Sequence, residues 1–354
     1  MNNVFINLRR FIFLASSYVL LNISFPLSAQ AILRADGPGN TYELINSILA
    51  PGHNAVESPD CAHPSFGRHI DEFYDSLYGD YVFRFHIHRD YDNDRCIRFD
   101  RQRVEIKTYD KSPDSLLGHY GERVIYKWEM KLDSSFVVSR KFTHLHQLKS
   151  VGSPDDNMPL ITITARRKSN GLEFLEIRYA PHQTQHVIAS ETLQVFKDRW
   201  LSFYEEVFYD DSLLSYYKLV IRDKNDSSVL LYVESDTLRM WKDSAHFIRP
   251  KWGIYRSLQD STFLKDEIVL FNNFFIKEIN PILATNNYLL RKGSVEPRNL
   301  IIWWQPTKPA KHILKNYIVL SFDGRLLTDL YHFEPPVLLV PKRFLSANPQ
   351  ILEQ

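Results

Sequence analysis

The sequence predicts an all-β protein, an antiparallel β-jelly-roll sandwich followed by a small β-rich module at its C-terminal end. Two observations lead to this fold class. Short runs rich in β-branched and aromatic residues recur between about residues 60 and 280, with turn-forming residues between them. No stretch in that range has a convincing helical period. Evenly spaced short strands with intervening turn signals are typical of sandwiches and jelly rolls.

The predicted elements follow the chain in order. Residues 42–49 (YELINSIL) are predicted to form one short helix. Ten strands are predicted from YVFRFHIH (81–88), VIYKWEMKL (124–132), KFTHLHQLK (141–149), LITITARR (160–167), LEFLEIRYA (172–180), LSFYEEVFY (201–209), YYKLVIRD (216–223), VLLYVES (229–235), KWGIYRS (251–257) and EIVLFNNFFIKE (267–278). RQRVEIK (101–107) has the same alternation and is read as a further strand.

Composition limits the functional classes. The chain has 354 residues, of which 44% are hydrophobic and 14% aromatic, enough for a large core and against disorder. Its formal net charge of +1 provides no global field that would attract nucleic acid or a membrane surface. An anionic ligand would therefore have to bind in a local basic groove.

The N-terminal segment predicts export. Arg9 and Arg10 precede an apolar run over 11–21, and Ala29-Gln30-Ala31 follows as a small-x-small cleavage pattern. We interpret residues 1–31 as a secretory signal peptide, because the apolar run is shorter than the roughly 20 residues of a membrane span. The mature protein is then expected to be secreted, periplasmic or attached to the cell surface.

Two further features bear on the mature chain. Cys61 and Cys96 are the two cysteines, and in an oxidising compartment they are expected to pair or else to stay as buried thiols. Residues 32–280 form the predicted jelly-roll domain, and 281–354, which are rich in proline, form the predicted C-terminal module. Within that module DGRLL (323–327) resembles the C-terminal sorting domains of type IX secretion in Bacteroidetes, which implies a sorting role.

Three predicted strands have polar side chains at alternating positions. Alternate residues of a strand share a face, so each strand presents a polar set on one side. On this basis His144 and His146 point the same way, and Gln147 points the opposite way. The other two sets are Arg101, Arg103, Glu105 and Lys107, and Lys251, Gly253 and Tyr255. A solvated face explains four charges in a row equally well, and a bulge explains Gly253 as well as a close ligand does.

Together, these motifs resemble those of the jelly-roll polysaccharide lyases, the group that includes alginate lyases, glucuronan lyases and heparin-lyase-I-type enzymes. The alginate-lyase strands read arginine-x-glutamate-x-arginine, glutamine-x-histidine and lysine-x-glycine-x-tyrosine. Here the corresponding stretches are RVEIK (103–107), HLH (144–146) and KWGIY (251–255). The resemblance covers about residues 60–280. His144 replaces a glutamine and Lys107 replaces an arginine, which argues against alginate itself as the substrate.

The resemblance implies β-elimination on a uronic-acid polymer. That reaction needs a group to neutralise the carboxylate, a base for the proton on C5, and an acid for the leaving oxygen on C4. Arg103, helped by His144, is expected to neutralise the carboxylate. Either His146 or Tyr255 is expected to be the base, and Tyr255 the acid. Substrate-binding roles are expected for Arg101, Glu105, Lys107, Gln147, Lys251, His86 and His88, with Glu105 orienting Arg103.

Two rival hypotheses use the same residues. The pairs His86/His88 and His144/His146 resemble the ligands of metal-dependent jelly-roll enzymes, although the run after His88 (RDYDND, 89–94) is interpreted as a solvated hairpin turn. A non-catalytic glycan-binding module is the second alternative. For the lyase we expect an anionic polysaccharide as partner, neither nucleic acid nor a membrane span, and no cofactor, with structural calcium left open.

Overall fold

The computed structural model describes residues 30–212 and 215–279, and beyond them only the backbone of three short strands, β16 (Ile302–Trp304), β17 (Tyr317–Leu320) and β18 (Val337–Pro341). Residues 1–29 of the predicted signal peptide lie outside the described residues. The predicted processing boundary after residue 31 falls within the first strand, β1 (Gln30–Leu33). The predicted sorting motif at 323–327 also lies outside the described residues. The three C-terminal strands form a small antiparallel sheet of their own.

The larger sheet has eight antiparallel strands. Besides β1, its members are β3 (Ile70–Asp75), β4 (Asp80–Ile87), β6 (Arg123–Leu132), β11 (Trp200–Phe208), β12 (Tyr216–Asp223), β13 (Val229–Ser235) and β15 (Glu267–Ile279). The spatial order is β13-β12-β11-β6-β15-β4-β3, and β1 pairs with the second half of β15.

The smaller sheet has seven antiparallel strands. They are β2 (Val56–Glu57), β5 (Arg101–Lys107), β7 (Thr143–Val151), β8 (Ile161–Arg167), β9 (Glu173–Tyr179), β10 (His186–Thr192) and β14 (Phe247–Ser257). Their order is β10-β9-β8-β7-β14-β5-β2. The predicted jelly-roll sandwich is therefore confirmed, and the strands predicted from the sequence lie within a few residues of the observed ones.

Both sheets direct their apolar residues into one core. Val104 and Ile106 of β5 and Ile254 of β14 are fully buried in it, as the period-2 alternation requires. Trp128 of β6 packs against the smaller sheet, with its ring stacked on that of His146 at a centroid distance of 4.5 Å. Such aromatic packing between sheets accounts for the high aromatic content of the chain.

The helix α1 (Thr41–Leu49) matches the predicted one, and it buries Ile45 and Leu49 in the same core. Three short 3-10 helices lie at Asp114–Leu116, Leu193–Phe196 and Ser261–Phe263. In the described part of the chain, no helix has the length and apolar character needed to cross a membrane.

The order of the smaller sheet brings the three polar motifs together. Strand β14 lies between β7 and β5, with Lys251 opposite Gln147 on one side and opposite Lys107 on the other. Tyr255 is likewise opposite Arg103 on β5 and His144 on β7. Three motifs that are distant in the chain therefore lie on adjacent strands of one sheet.

Candidate active site

The candidate site is the face of the smaller sheet that points away from the core. On β5 the even-numbered residues Val104 and Ile106 pack inward, so Arg103 and Glu105 point outward, as their alternation predicts. This face is not a simple solvated surface, because Glu105 is 0% exposed and Lys251 is 2% exposed. Buried charges of this kind persist only when they are paired.

Glu57, on the two-residue strand β2, is the centre of that pairing. Its carboxylate contacts Lys251 at 2.5 Å, Arg95 at 2.7 Å, Lys107 at 2.8 Å and Arg103 at 3.1 Å. Burial alone would raise the pKa of Glu57, but the four cations outweigh burial and hold the pKa well below its usual range. The carboxylate is therefore ionised, and it neutralises much of the positive charge on this side of the site.

Glu105 forms a second acidic centre beside Glu57. It accepts hydrogen bonds from Arg103 at 2.8 Å and from Gln147 Nε2 at 2.5 Å, and its carboxylate lies 2.6 Å from Lys251 Nζ. The predicted role of Glu105, the orientation of Arg103, agrees with this geometry. Gln147 points to this outer face, so it lies with the site residues.

Arg103 and Arg101 hold Tyr255 from two directions. The Arg103 guanidinium lies over the phenol ring, 3.8 Å from its centroid, and also pairs with Asp94 at 3.0 Å. Arg101 donates a hydrogen bond of 2.9 Å to the phenolic oxygen Oη. A cation directed at Oη stabilises negative charge that develops there. This arrangement suits an oxygen that alternately loses and gains a proton.

The two histidines of β7 do not share a face, so that prediction is wrong. The register with β8 shifts between His144 and His146, which makes Leu145 the extra residue of a β-bulge. Leu145 and the following imidazole of His146 both lie in the core. His146 is 1% exposed, and its Nε2 lies 2.8 Å from the buried Glu205 of the opposite sheet. His146 therefore cannot meet a substrate on the outer face.

His144 remains on the outer face, next to Tyr255. Its ring stacks on Phe142 at 4.7 Å and lies 5.9 Å from the Tyr255 ring. Burial, followed by the nearby cations Arg166 and Arg103, holds the pKa of His144 well below its usual range. The imidazole is therefore neutral at physiological pH, and its Nδ1 is buried without a hydrogen-bond partner.

Three cations on this face have no ion pair with any described residue: Lys149, Arg166 and Arg249. Lys149 and Arg249 are direct cross-strand neighbours, an arrangement of like charges that is normally unfavourable. Burial lowers the pKa of each of the three cations. The pKa of Lys149 is lowered further by Arg249, and that of Arg166 by Arg178. In the case of Arg249, Glu57 and Glu105 partly offset burial. Of the three, Arg166 acts on His144, and the carboxylate of Glu176, which itself pairs with Arg178, offsets only part of the burial of Arg166.

Gly253 is required by the neighbouring strand. A Cβ at this position would lie 2.1 Å from the carbonyl oxygen of Val104 and 2.7 Å from the Cα of Glu105, and φ is +143°. Of the two explanations left open by the sequence, the structure agrees with the bulge, because the register of β14 with β7 shifts between Trp252 and Tyr255, and the close approach of β5 adds a steric reason for glycine. It also keeps Lys251 and Tyr255 on the same side of β14.

His86 lies on β4 of the larger sheet and His88 directly follows that strand, away from the outer face of the smaller sheet. His86 Nε2 lies 3.0 Å from Asp71 on the adjacent strand β3, and His88 Nδ1 lies 3.2 Å from Asp92. Neither has a described contact with Tyr255 or His144. The metal hypothesis that joins both His-x-His pairs is therefore wrong, because His146 lies in the core and His86 faces Asp71.

The segment 89–94 is also different from its prediction as a solvated turn. Asp92 is 3% exposed and Asp94 is 1% exposed, and Asp94 pairs with both Arg95 and Arg103. Nothing in the sequence indicated this burial, because a run of acidic residues is usually a solvated segment. Glu57 was missed for a similar reason, since a two-residue strand has no detectable alternation. Arg166 and Lys149 lie at outward positions of predicted strands, where alternation alone would have indicated them, whereas Arg249 precedes the predicted strand 251–257 and belongs only to the longer observed strand.

Comparison with protein-family models gives no match, and no curated protein matches the chain. Several solved structures are similar. The endo-β-1,4-glucuronan lyase from the fungus Trichoderma reesei has 12% identity and a TM-score of 0.41, covering 59% of this chain and 86% of that chain. The marine alginate lyase from Aplysia kurodai has 15% identity and a TM-score of 0.45, covering 69% and 97%.

A third similar structure is an alginate lyase variant in complex with an alginate trisaccharide. It has 11% identity and a TM-score of 0.48, and the match covers 72% of this chain and 99% of that chain. The resemblance predicted from the three motifs thus has a counterpart among solved structures, which include glucuronan and alginate lyases.

Proposed function

We propose that the chain is an exported polysaccharide lyase that cleaves a uronate-containing polymer by β-elimination at the outer face of the smaller sheet. One observation carries the proposal. The face holds half-buried cations that form no ion pair with a described residue; one of them, Arg166, acts on the neutral imidazole of His144, beside a tyrosine whose Oη accepts a hydrogen bond from Arg101. Such a surface suits a ligand that brings its own negative charge.

The charges divide the site into two parts. Arg103, Lys107 and Lys251 are neutralised by Glu57 and Glu105, so these cations mainly hold the site together. The positive charge available to a substrate lies instead at the other outward positions, Lys149, Arg166 and Arg249. We therefore assign uronate binding to Arg166, Lys149 and Arg249, and to Arg103 the positioning of the Tyr255 ring.

The reaction assigned to the site is balanced as follows. The Tyr255 phenolate, stabilised by the Arg101 guanidinium, removes the proton on C5, and the C4–O4 bond breaks as the C4–C5 double bond forms. The resulting phenol then gives the same proton to O4 of the leaving sugar. The carboxylate next to C5 is neutralised by Arg166, with His144 as a neutral hydrogen-bonding partner. This leaves no catalytic step for His146.

Export is supported by the disulfide. Cys61 and Cys96 are bonded, with their Cα atoms 6.3 Å apart. Disulfides persist in oxidising compartments and are rare in the cytosol of most organisms. The bond agrees with the predicted signal peptide and with an extracellular or periplasmic polysaccharide as the partner.

The test is product formation by the full chain on a panel of uronate polymers that includes alginate, glucuronan and heparin-type chains. Elimination creates a double bond conjugated with the carboxylate, which is measured as a rise in ultraviolet absorbance. We expect Tyr255→Phe to lower kcat by at least about 100-fold, the usual contribution of general acid–base catalysis. Arg166→Gln is expected to raise KM by at least about tenfold, the loss of one charged hydrogen bond.

The matched control is Tyr74→Phe, which removes an exposed hydroxyl on the other sheet and should leave both constants unchanged. Full activity of Tyr255→Phe on the preferred polymer would refute the assigned chemistry. Binding of a uronate polymer without any ultraviolet signal would refute the lyase proposal and support a non-catalytic glycan-binding module, since the same cations also suit simple binding.

A further inference from the structure

We propose a structural metal site for a zinc-type divalent cation, formed by His63, His69, His88 and Asp92. None of these residues belongs to the outer-face site. Their ligand atoms all lie within 4.8 Å of one another. Four histidines were singled out in the sequence, and His88 is the only one of them that belongs to this site.

The distances centre on the buried carboxylate of Asp92. Its Oδ1 lies 3.0 Å from His69 Nε2 and 3.5 Å from His63 Nδ1, and its Oδ2 lies 3.2 Å from His88 Nδ1. Tetrahedral zinc with bonds of about 2.0–2.1 Å places neighbouring ligand atoms about 3.3–3.4 Å apart. The carboxylate-to-imidazole separations, two to Oδ1 and one to Oδ2, are therefore close to those of a zinc site, and the widest separation in the set, up to 4.8 Å, would shorten on binding.

His69 has the outer partner that zinc ligands usually have. Its Nδ1 lies 2.8 Å from Asp60 Oδ1, while its Nε2 faces Asp92. A carboxylate that accepts the Nδ1 proton fixes the tautomer with a free lone pair on Nε2, the atom that would bind the metal. Tyr42 also donates to Asp60, at 2.9 Å, which holds that carboxylate in place.

A metal-free explanation exists for His69 but does not extend to His63. A protonated His69 could bridge Asp60 and Asp92 as an imidazolium, with a donor on each nitrogen. His63 Nδ1, however, is buried, points toward Asp92 and has no hydrogen-bond partner. A buried imidazole nitrogen without a partner is unfavourable, and a shared cation would satisfy it together with His88.

The surroundings hold the ligands in place and shield them. The disulfide joins the segment that contains Asp60 and His63 to the segment that contains Asp92, since Cys61 and Cys96 lie in those two segments. Tyr91 stacks on the His63 ring at a centroid distance of 4.6 Å, and Phe66 contacts the His88 ring at 4.3 Å. An ordered set of ligands under aromatic cover is what a closed structural site requires.

The ligand set selects the class of metal. Three imidazoles and one carboxylate suit zinc and similar transition metals, whereas calcium takes oxygen ligands almost exclusively. Four protein ligands fill the tetrahedral positions, which is the pattern of structural rather than catalytic zinc. We therefore assign the site a structural role, and it takes no part in the elimination.

The loop formed by residues 88–94 connects the metal site to the candidate active site. The Gln102 side chain donates to the carbonyl oxygens of His88 and Asp92, at 2.7 Å and 2.8 Å. Two residues after Asp92, Asp94 pairs with Arg103, which lies over the Tyr255 ring. A cation bound at Asp92 would thus fix the loop that orients Arg103.

The experiment uses the full chain, purified without a polyhistidine tag, stripped with a chelator and titrated with Zn²⁺ alone. Bound metal is measured by mass spectrometry after dialysis, and affinity by calorimetry. We expect about one zinc ion per chain and a rise in Tm on binding. His63→Ala should weaken binding by at least about 100-fold, because even loss of an outer partner costs roughly 10–100-fold. Asp60→Asn, which alters the outer partner of His69, should weaken zinc binding by the smaller factor of roughly 10–100-fold.

The matched control is His53→Ala, an exposed histidine outside the cluster, which should bind zinc like the parent chain. The proposal is overturned if the parent chain retains no zinc, or if His63→Ala binds it as tightly as His53→Ala does. Should His63→Ala fail to fold, Co²⁺ bound to the parent chain decides the question. The intense visible bands of a tetrahedral complex support the site, and a weak octahedral spectrum refutes it.

Discussion

Replacement of Gly253 by alanine tests the close approach of β5 to β14. The added Cβ would lie 2.1 Å from the Val104 carbonyl oxygen, whereas ordinary van der Waals contact begins at 3.4 Å, so the two strands would have to separate. Overpacking of this kind costs about 1–3 kcal/mol. A φ of +143° adds about 1–3 kcal/mol, because that backbone region is essentially restricted to glycine. We expect Gly253→Ala to lower the free energy of unfolding by about 2–6 kcal/mol.

The assay is urea denaturation followed by tryptophan fluorescence. Gly52→Ala is the matched control, because Gly52 also has a positive φ, +78°, but nothing lies within 4 Å of its added Cβ. That control should cost only about 1–2 kcal/mol, the backbone penalty alone. If Gly253 instead leaves room for a ligand, the variant will unfold like the control and lose only activity. That result would refute the packing argument.

Three further predictions concern stability. Replacing Cys61 and Cys96 by serine opens a loop with a sequence separation of 35 and should cost about 4 kcal/mol on the chain-entropy model, measured by urea denaturation; an unchanged midpoint would contradict it. His146→Leu leaves the buried Glu205 with the Tyr217 hydroxyl as its remaining described partner and should cost about 3 kcal/mol, yet keep full kcat in the folded fraction; a large loss of kcat would restore His146 to the active site. Burial raises the pKa of Glu267 from 4.5 to about 7, so between these pH values the native state binds one more proton than the unfolded state. The stabilisation from this proton is complete below pH 4.5 and is lost as the pH rises through 7. Glu267→Gln should remove up to about 3 kcal/mol of this pH dependence between pH 4.5 and 7, and an unchanged slope would show that another group titrates there.

Much of the sandwich was predictable because its strands alternate regularly. The alternation of β5 and β14 placed Arg103, Lys251 and Tyr255 on the outer face, and the structure agrees. The resemblance to the lyases grouped the motifs of β5, β7 and β14, and these three strands are adjacent in the smaller sheet. Period-2 alternation is a local property of a strand, so it survives in any sheet that has one buried face.

The candidate site was harder to predict because its partners come from segments with no regular pattern. Glu57 lies on a strand of two residues, and Asp94 lies in a run that looks solvated. Both are identified only by the cations around them, which come from distant parts of the chain. The inward position of His146 was missed because alternation has no means of detecting a bulge.

The bulge at Leu145 has a consequence for engineering. Because Leu145 has no partner on β8, removing it would leave His144 outward, His146 inward and Gln147 outward, now in plain alternation. An insertion or deletion elsewhere in β7 would instead move every side chain on one side of the change to the opposite face of the sheet. Libraries that vary the site should therefore keep the residue count of β7 constant, with position 145 as the one place where a deletion preserves the faces.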